Sequence, residues 1–302
     1  MSVAPAPRVA PALHPLKQLI SRLPLRAQAL PLVGAFGGSL LLYARMAGLP
    51  VLLHWGLLSG LATTLLLFVQ LRLVDDLDDL ESDHPSRTLS ALSQKAALRR
   101  KIVFTLVALA ALVVALNVTR PPALLAAVAA TATTYAGPFV FKRHLPTRMA
   151  LGSIVYEGAP ALFFAHPYFF WWADSGVALS VGQVLPVVAA FWLGYEVWKF
   201  SRKATTDAMQ PYLLSSQGVK RALTVFFVAS GIVNVALARQ ASLSPSFMAI
   251  GLALPALFLV WLHASWPATG SRPRTHAPVW GGLPFILAFE VGLLRELAVG
   301  AA

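Results

Sequence analysis

Residues Gly56–Asp83 read GLLSGLATTLLLFVQLRLVDDLDDLESD. The stretch is uncharged as far as Leu71, and with the residues just before it gives an apolar run over 51–73, long enough to cross a hydrocarbon core of about 30 Å as a helix. It then turns abruptly acidic: Asp75, Asp76, Asp78, Asp79, Glu81 and Asp83 are half of the twelve acidic residues in the chain. An apolar helix that ends in carboxylates reads as a membrane span emerging into water, and it sets the fold class for the whole protein.

The rest of the chain agrees with that reading. It has 302 residues, 57% of them hydrophobic and 12% charged, with a mean hydropathy of +0.69. Soluble domains carry about 25% charged residues. The expectation is an all-α polytopic membrane protein, a bundle of about nine transmembrane helices. The spans are set at 30–47, 51–73, 102–118, 121–141, 149–171, 179–199, 219–238, 246–264 and 279–298. Residues 1–28 form an Ala/Pro-rich tail followed by a basic amphipathic piece, in which Leu16, Leu19, Ile20 and Leu23 share a stripe that Lys17 and Arg22 avoid. Residues 29–302 form a single transmembrane domain, and no soluble domain interrupts it.

The formal net charge is +12. The placement of the cations argues for topology and attraction to anionic membrane lipid, not for nucleic acid. With nine spans, only Arg45, Arg120, Arg239 and Arg295 fall on one side, and every other Lys and Arg falls on the side of the acidic stretch. By the positive-inside rule the N-terminus is cytoplasmic. The protein then lies in the cell (inner) membrane if it is bacterial, with its active-site loops facing the cytoplasm. Cysteine is absent, which removes disulfide and thiol chemistry.

On a helix, residues four apart share a face, so Asp75, Asp79 and Asp83 form one line with Asp76 beside it. Like charges so spaced repel, and acids at a helix C-terminus oppose the helix dipole. A compensating cation is therefore expected. Clustered ionised oxygens suit Mg²⁺, which takes one or two carboxylates and shares its other positions with water and substrate phosphate. Two further segments open on the same side: Tyr135-Ala-Gly-Pro-Phe-Val-Phe-Lys-Arg-His144, and Tyr195-Glu-Val-Trp-Lys-Phe-Ser-Arg-Lys203 followed by Asp207. Their Lys142, Arg143, Lys199, Arg202 and Lys203 can cradle a diphosphate or serve only as positive-inside residues.

The order Arg72-x-x-Asp75-Asp76-x-x-Asp79-x-x-x-Asp83, continuing into His84-Pro85-Ser86-Arg87, resembles the first aspartate-rich motif of the UbiA superfamily of intramembrane prenyltransferases. Tyr135 with Lys142 and Arg143 loosely resembles the signature after that family's fourth helix, and the nine-helix plan is similar as well. The resemblance implies Mg²⁺-dependent transfer of a prenyl group, within the membrane, from an isoprenyl diphosphate to an aromatic or other lipophilic acceptor. It implies Asp76, Asp79 and Asp83 as metal ligands, with Asp75 where the family usually has Asn, and Arg72 and Arg87 as diphosphate contacts. The second motif departs from the family pattern: Glu196 and Asp207 stand where paired aspartates are usual, with Lys199, Arg202 and Lys203 between them.

Within the spans, Glu157 is the leading candidate for a catalytic group and Glu290 the second, because an ionisable side chain at membrane depth is costly. Glu157 can act as a general base, stabilise a cation, or pair structurally with an Arg or His54. Tyr135 is the other candidate catalytic residue. Phe191, Trp192, Tyr195 and Trp198 either face a developing allylic cation or simply pack. Phe169, Phe170, Trp171 and Trp172 are expected to form an interfacial aromatic belt, with His166 structural beside them. Two other functions compete: a membrane terpene cyclase, in which the substrate's own double bonds capture the cation, and a transporter gated by a divalent cation.

Overall fold

A computed structural model describes residues 25–50, 54–82, 89–144, 161–203, 216–266 and 289–295. Over these residues the protein is helical and shows no strand. The helices are α1 Leu25–Ala47, α2 Gly56–Ser82, α3 Leu89–Asn117, α4 Pro121–His144, α5 Ala161–Ser175, α6 Val181–Lys203, α7 Ser216–Gln240 and α8 Pro245–Ser265, with a short α9 at 289–295.

Among the described residues six helices have the length and apolarity to cross a membrane: α1, α2, α3, α6, α7 and α8. The sequence suggests nine. The described part of α5 is 15 residues, and that of α9 is seven, against about 20 needed for a span. α4 has 24 residues and is not among the six; the side chains of its last eight, 137–144, lie outside the described set. The amphipathic piece before the first span falls on residues outside the described set, except that α1 already begins at Leu25 and takes Arg26 into its first turn.

Short connections make sequence neighbours antiparallel. α3 and α4 are joined through 118–120, α5 and α6 through 176–180, and α7 and α8 through 241–244. Local chemistry fixes these turns. Gly48, at φ +67°, ends α1, where its N–H donates to Arg45 C=O at 3.1 Å and Leu49 N–H donates to Ala44 C=O at 2.9 Å. Ser244 caps α8 by accepting Phe247 N–H at 3.2 Å, and Pro245 follows where a missing N–H costs nothing. Arg45 then ties α1 to the α7–α8 turn, donating from Nε to Ala241 C=O and from Nη2 to Ser242 C=O, both at 2.9 Å.

α5 sits at the centre, packed on α1, α2, α4 and α6. Its aromatic residues meet those of α1: Phe36 and Phe170 stand edge-to-face at 5.8 Å, and Tyr43 and Tyr168 at 5.3 Å. Phe170 is 0% and Trp171 7% exposed, so these two are core residues and not part of the lipid-facing belt that the sequence suggests. The reason is periodicity: four consecutive aromatics on a helix must point all around it, and α5 is surrounded on most sides. Half of α1's apolar window is buried against 22% for α3 and α8, which puts those two helices at the periphery.

Candidate functional site

α2 carries the acids. It stays helical from Gly56 to Ser82, so Asp75, Asp76 and Asp79 sit on continuous helix and their spacing is a true helical spacing. Below them, Leu73 and Val74 pack with Ile102 and Leu106 of α3, and Tyr135 of α4 joins this cluster. The Tyr135 hydroxyl donates to Leu106 C=O at 2.8 Å, so in this arrangement the phenol is held by the α3 backbone.

Directionality brings the basic segments to the same end of the bundle. α2, α4 and α6 all run the same way: Asp174, at the end of α5 and just before α6 begins, meets His54 beside the start of α2 and Arg120 at the start of α4, so all three C-termini emerge at the other end. Lys142 and Arg143 lie in the last turn of α4, and Arg202 and Lys203 in the last turn of α6, where cations complement the helix dipole. α4 packs directly on α2, whereas α6 reaches this end with α1 and α5 packed between it and α2.

On α6, Glu196 is 0% exposed while Lys199 is half-buried, its Nζ 5.8 Å over the Tyr195 ring. Tyr195 in turn meets Trp198 at 5.9 Å and Phe164 of α5 at 5.8 Å. Phe191 is buried, and Arg72 is half-buried at the end of the apolar part of α2. Asp83, Arg87, Glu157 and Asp207 lie outside the described residues, as do the side chains of Asp75, Asp76, Asp79, Lys142, Arg143, Arg202 and Lys203. Among the described residues no three His, Asp or Glu side chains converge as a metal site would require.

The opposite end of the bundle holds polar structure that the sequence reading treats only in passing. Asp174, at the end of α5, takes Arg120 Nε at 2.6 Å and His54 Nε2 at 3.0 Å. Arg120 also donates to Ser59 Oγ at 3.1 Å and lies 4.8 Å over the Phe170 ring. His54 Nδ1 accepts Gly56 N–H at 3.1 Å, so both ring nitrogens are engaged and the imidazole acts as a brace, with no free base to offer.

One turn deeper, Asn117 donates to Thr63 Oγ1 and to Val113 C=O, each at 2.8 Å. His166 spans from Asn117 Oδ1 to Thr64 Oγ1, at 3.4 Å on each side. The Asn117 oxygen can only accept, so His166 Nε2 carries a proton, while the Thr64 hydroxyl that faces Nδ1 also donates to Gly60 C=O at 3.1 Å. All four side chains are buried, and they join α2, α3 and α5 by hydrogen bonds inside the apolar bundle. Ser59 and Thr63, spaced i, i+4 in an otherwise apolar helix, are the sequence signal for this seam.

No family model, curated protein or solved structure matches the chain. The function therefore has to be argued from the residues and their placement.

Proposed function

We propose that the protein is an integral membrane prenyltransferase of the UbiA type, moving a prenyl group from an isoprenyl diphosphate to a lipophilic aromatic acceptor. The observation that carries this reading is the convergence at one end of the bundle: α2 ends in helically spaced acids where α4 and α6 end in Lys142, Arg143, Lys199, Arg202 and Lys203. Negative and positive groups emerging together from an apolar bundle suit a ligand with a metal-bound diphosphate head and a hydrocarbon tail.

Asp75, Asp76, Asp79 and Asp83 would hold Mg²⁺, with Glu196 and Asp207 as ligands from the second segment. Their oxygen-only donor set fits that ion, and the unbroken helix through Ser82 gives the first three the shared face such a site needs. Bound there, Mg²⁺ supplies positive charge that offsets the diphosphate as a leaving group. Arg72, Arg87 and the basic ends of α4 and α6 hold the phosphate oxygens, and the apolar bundle takes the carbon chain and excludes water. The allylic C–O bond breaks with its electron pair going to the diphosphate, a bond forms from the acceptor to the prenyl carbon, and the acceptor loses a proton. Glu157 is the candidate base for that proton. By charge placement the reacting end faces the cytoplasm.

The test is diphosphate release by purified protein in nanodiscs, with Mg²⁺ and prenyl diphosphates of graded length, with and without aromatic acceptors, beside Asp79→Ala. Release that needs both Mg²⁺ and Asp79 supports the reading. Cyclic hydrocarbon formed without acceptor reassigns the protein as a terpene cyclase. Cation-dependent flux with no turnover of any prenyl diphosphate replaces the reading with a transporter.

A further inference from the structure

Four aromatic rings run in unbroken contact from α2 through α5 to α6. Phe68 meets Phe163 at 6.4 Å, Phe163 meets Phe164 edge-to-face at 4.7 Å, and Phe164 meets Tyr195 at 5.8 Å. The three phenylalanines are 2%, 4% and 5% exposed, so the rings pack as a layer with little slack. The three helices bring them to one depth. Phe68 lies six residues inside the end of the apolar window of α2 at Val74, and Tyr195 six inside that of α6 at Ser201, about 9 Å in each case. Phe163 and Phe164 lie in the first turn of α5, at the end remote from Asp174.

Positions 75 and 79 follow Phe68 by seven and eleven residues, close to two and three whole turns, so they share its face of α2. Along that face about 10 Å separate Asp75 from Phe68. Four carbon–carbon bonds of about 1.5 Å advance an extended chain by about 5 Å for each five-carbon unit. We infer that the aromatic layer closes the hydrocarbon end of the substrate site and limits the donor to a ten-carbon prenyl diphosphate, with Phe68 as the ring that the chain end meets. The inference rests on the prenyl-transfer reading above and adds the length of the donor to it. A third or fourth five-carbon unit, tethered by its diphosphate at the acids, has to push into rings already packed on α2, α5 and α6, and overpacking of that kind is costly.

The test is diphosphate release by the full chain in nanodiscs, with Mg²⁺, the aromatic acceptors of the assay above, and geranyl, farnesyl or geranylgeranyl diphosphate. Its readout is the ratio of kcat/KM between donor lengths. Wild type is expected to use the ten-carbon donor about tenfold or more better than the twenty-carbon one. Phe68→Ala opens the layer and should bring the fifteen-carbon donor to within about twofold of the ten-carbon donor. Phe68→Leu, which keeps more of the core filled, should shift the ratio the same way by less, so the test survives if the alanine variant does not fold. Phe36→Leu alters the Phe36–Phe170 pair, nearer Asp174, and should leave the ratio unchanged. A ring that only packs would lower release from every donor alike. Equal use of ten- and twenty-carbon donors by wild type overturns the inference and leaves prenyl transfer standing, and so does a Phe68→Leu ratio equal to that of wild type. Release from no donor of any length removes the prenyl-transfer reading, and this inference with it.

Discussion

The Glu290 carboxylate on α9 occupies the space that a methyl group would need at Gly34 on α1. Glu290 is 5% exposed, and its Oε1 has no hydrogen-bond partner among the described residues. One turn on, Gly38 gives the same close approach to Phe191 and Leu293. Glycines four apart thus form the strip on which α9 lies, as small residues do at close membrane-helix contacts.

Two glycines in similar crowding should respond differently to a methyl group. At Gly34 the obstacle is the far end of a flexible side chain, so Gly34→Ala is expected to swing Glu290 aside at a cost under about 1 kcal/mol. At Gly60 a Cβ would meet the buried rings of Phe36 and Phe170 at 2.7 and 2.8 Å, and neither ring has room to move. Gly60→Ala should cost about 1–3 kcal/mol. Thermal unfolding in detergent ranks the two, and a larger loss at Gly34 would contradict the packing described.

Asn117→Leu removes a donor to Thr63 and the acceptor of His166 Nε2 in one step. The stranded imidazole N–H should lower stability by about 1–2 kcal/mol. Adding His166→Leu removes the orphaned group, so the double variant should lose clearly less than the sum of the singles. Strict additivity would mean the seam is not a hydrogen-bonded unit.

The fold class was legible from Gly56–Asp83 alone, because an apolar run that turns acidic has one economical reading. For the helix count, six helices among the described residues meet the requirement for a span, and the expected fifth and ninth spans extend beyond that set, as do the side chains of the fourth after Ala136. For the site, spacing correctly foretold that Asp75, Asp76 and Asp79 share a helix, because helical periodicity is local. For the seam of Thr63, Asn117 and His166, the polar spacing on α2 marks one side, but the partners lie 49 to 102 positions apart and no local pattern says which residues of α3 and α5 they are. The same limit explains Phe170 and Trp171, whose aromatic character suits a membrane interface and a buried core equally well.

Topology is directly testable because the chain has no cysteine, so every introduced thiol reports alone. Ala178, between α5 and α6, and Gln217, at the start of α7, are exposed at opposite ends of the bundle. In intact cells an impermeant maleimide should label Ala178→Cys, and it should label Gln217→Cys only after permeabilisation. The reverse pattern would invert the orientation and put the acid-rich end outside.

The acidic end of α2 can serve as a coordinating face or as a solvated cap, and inserting one alanine after Leu77 separates the two. The insertion keeps every charge yet turns Asp79 by about 100° relative to Asp75 and Asp76, because each helical residue advances that far. A coordinating face is broken by that rotation, since Mg²⁺ tolerates little departure from octahedral geometry. Mg²⁺-dependent diphosphate release should then fall at least 100-fold, roughly as far as in Asp79→Ala, which corresponds to about 3 kcal/mol in the barrier. A solvated cap depends only on the number of carboxylates, so under that reading the insertion would leave both activity and Mg²⁺ dependence as they were.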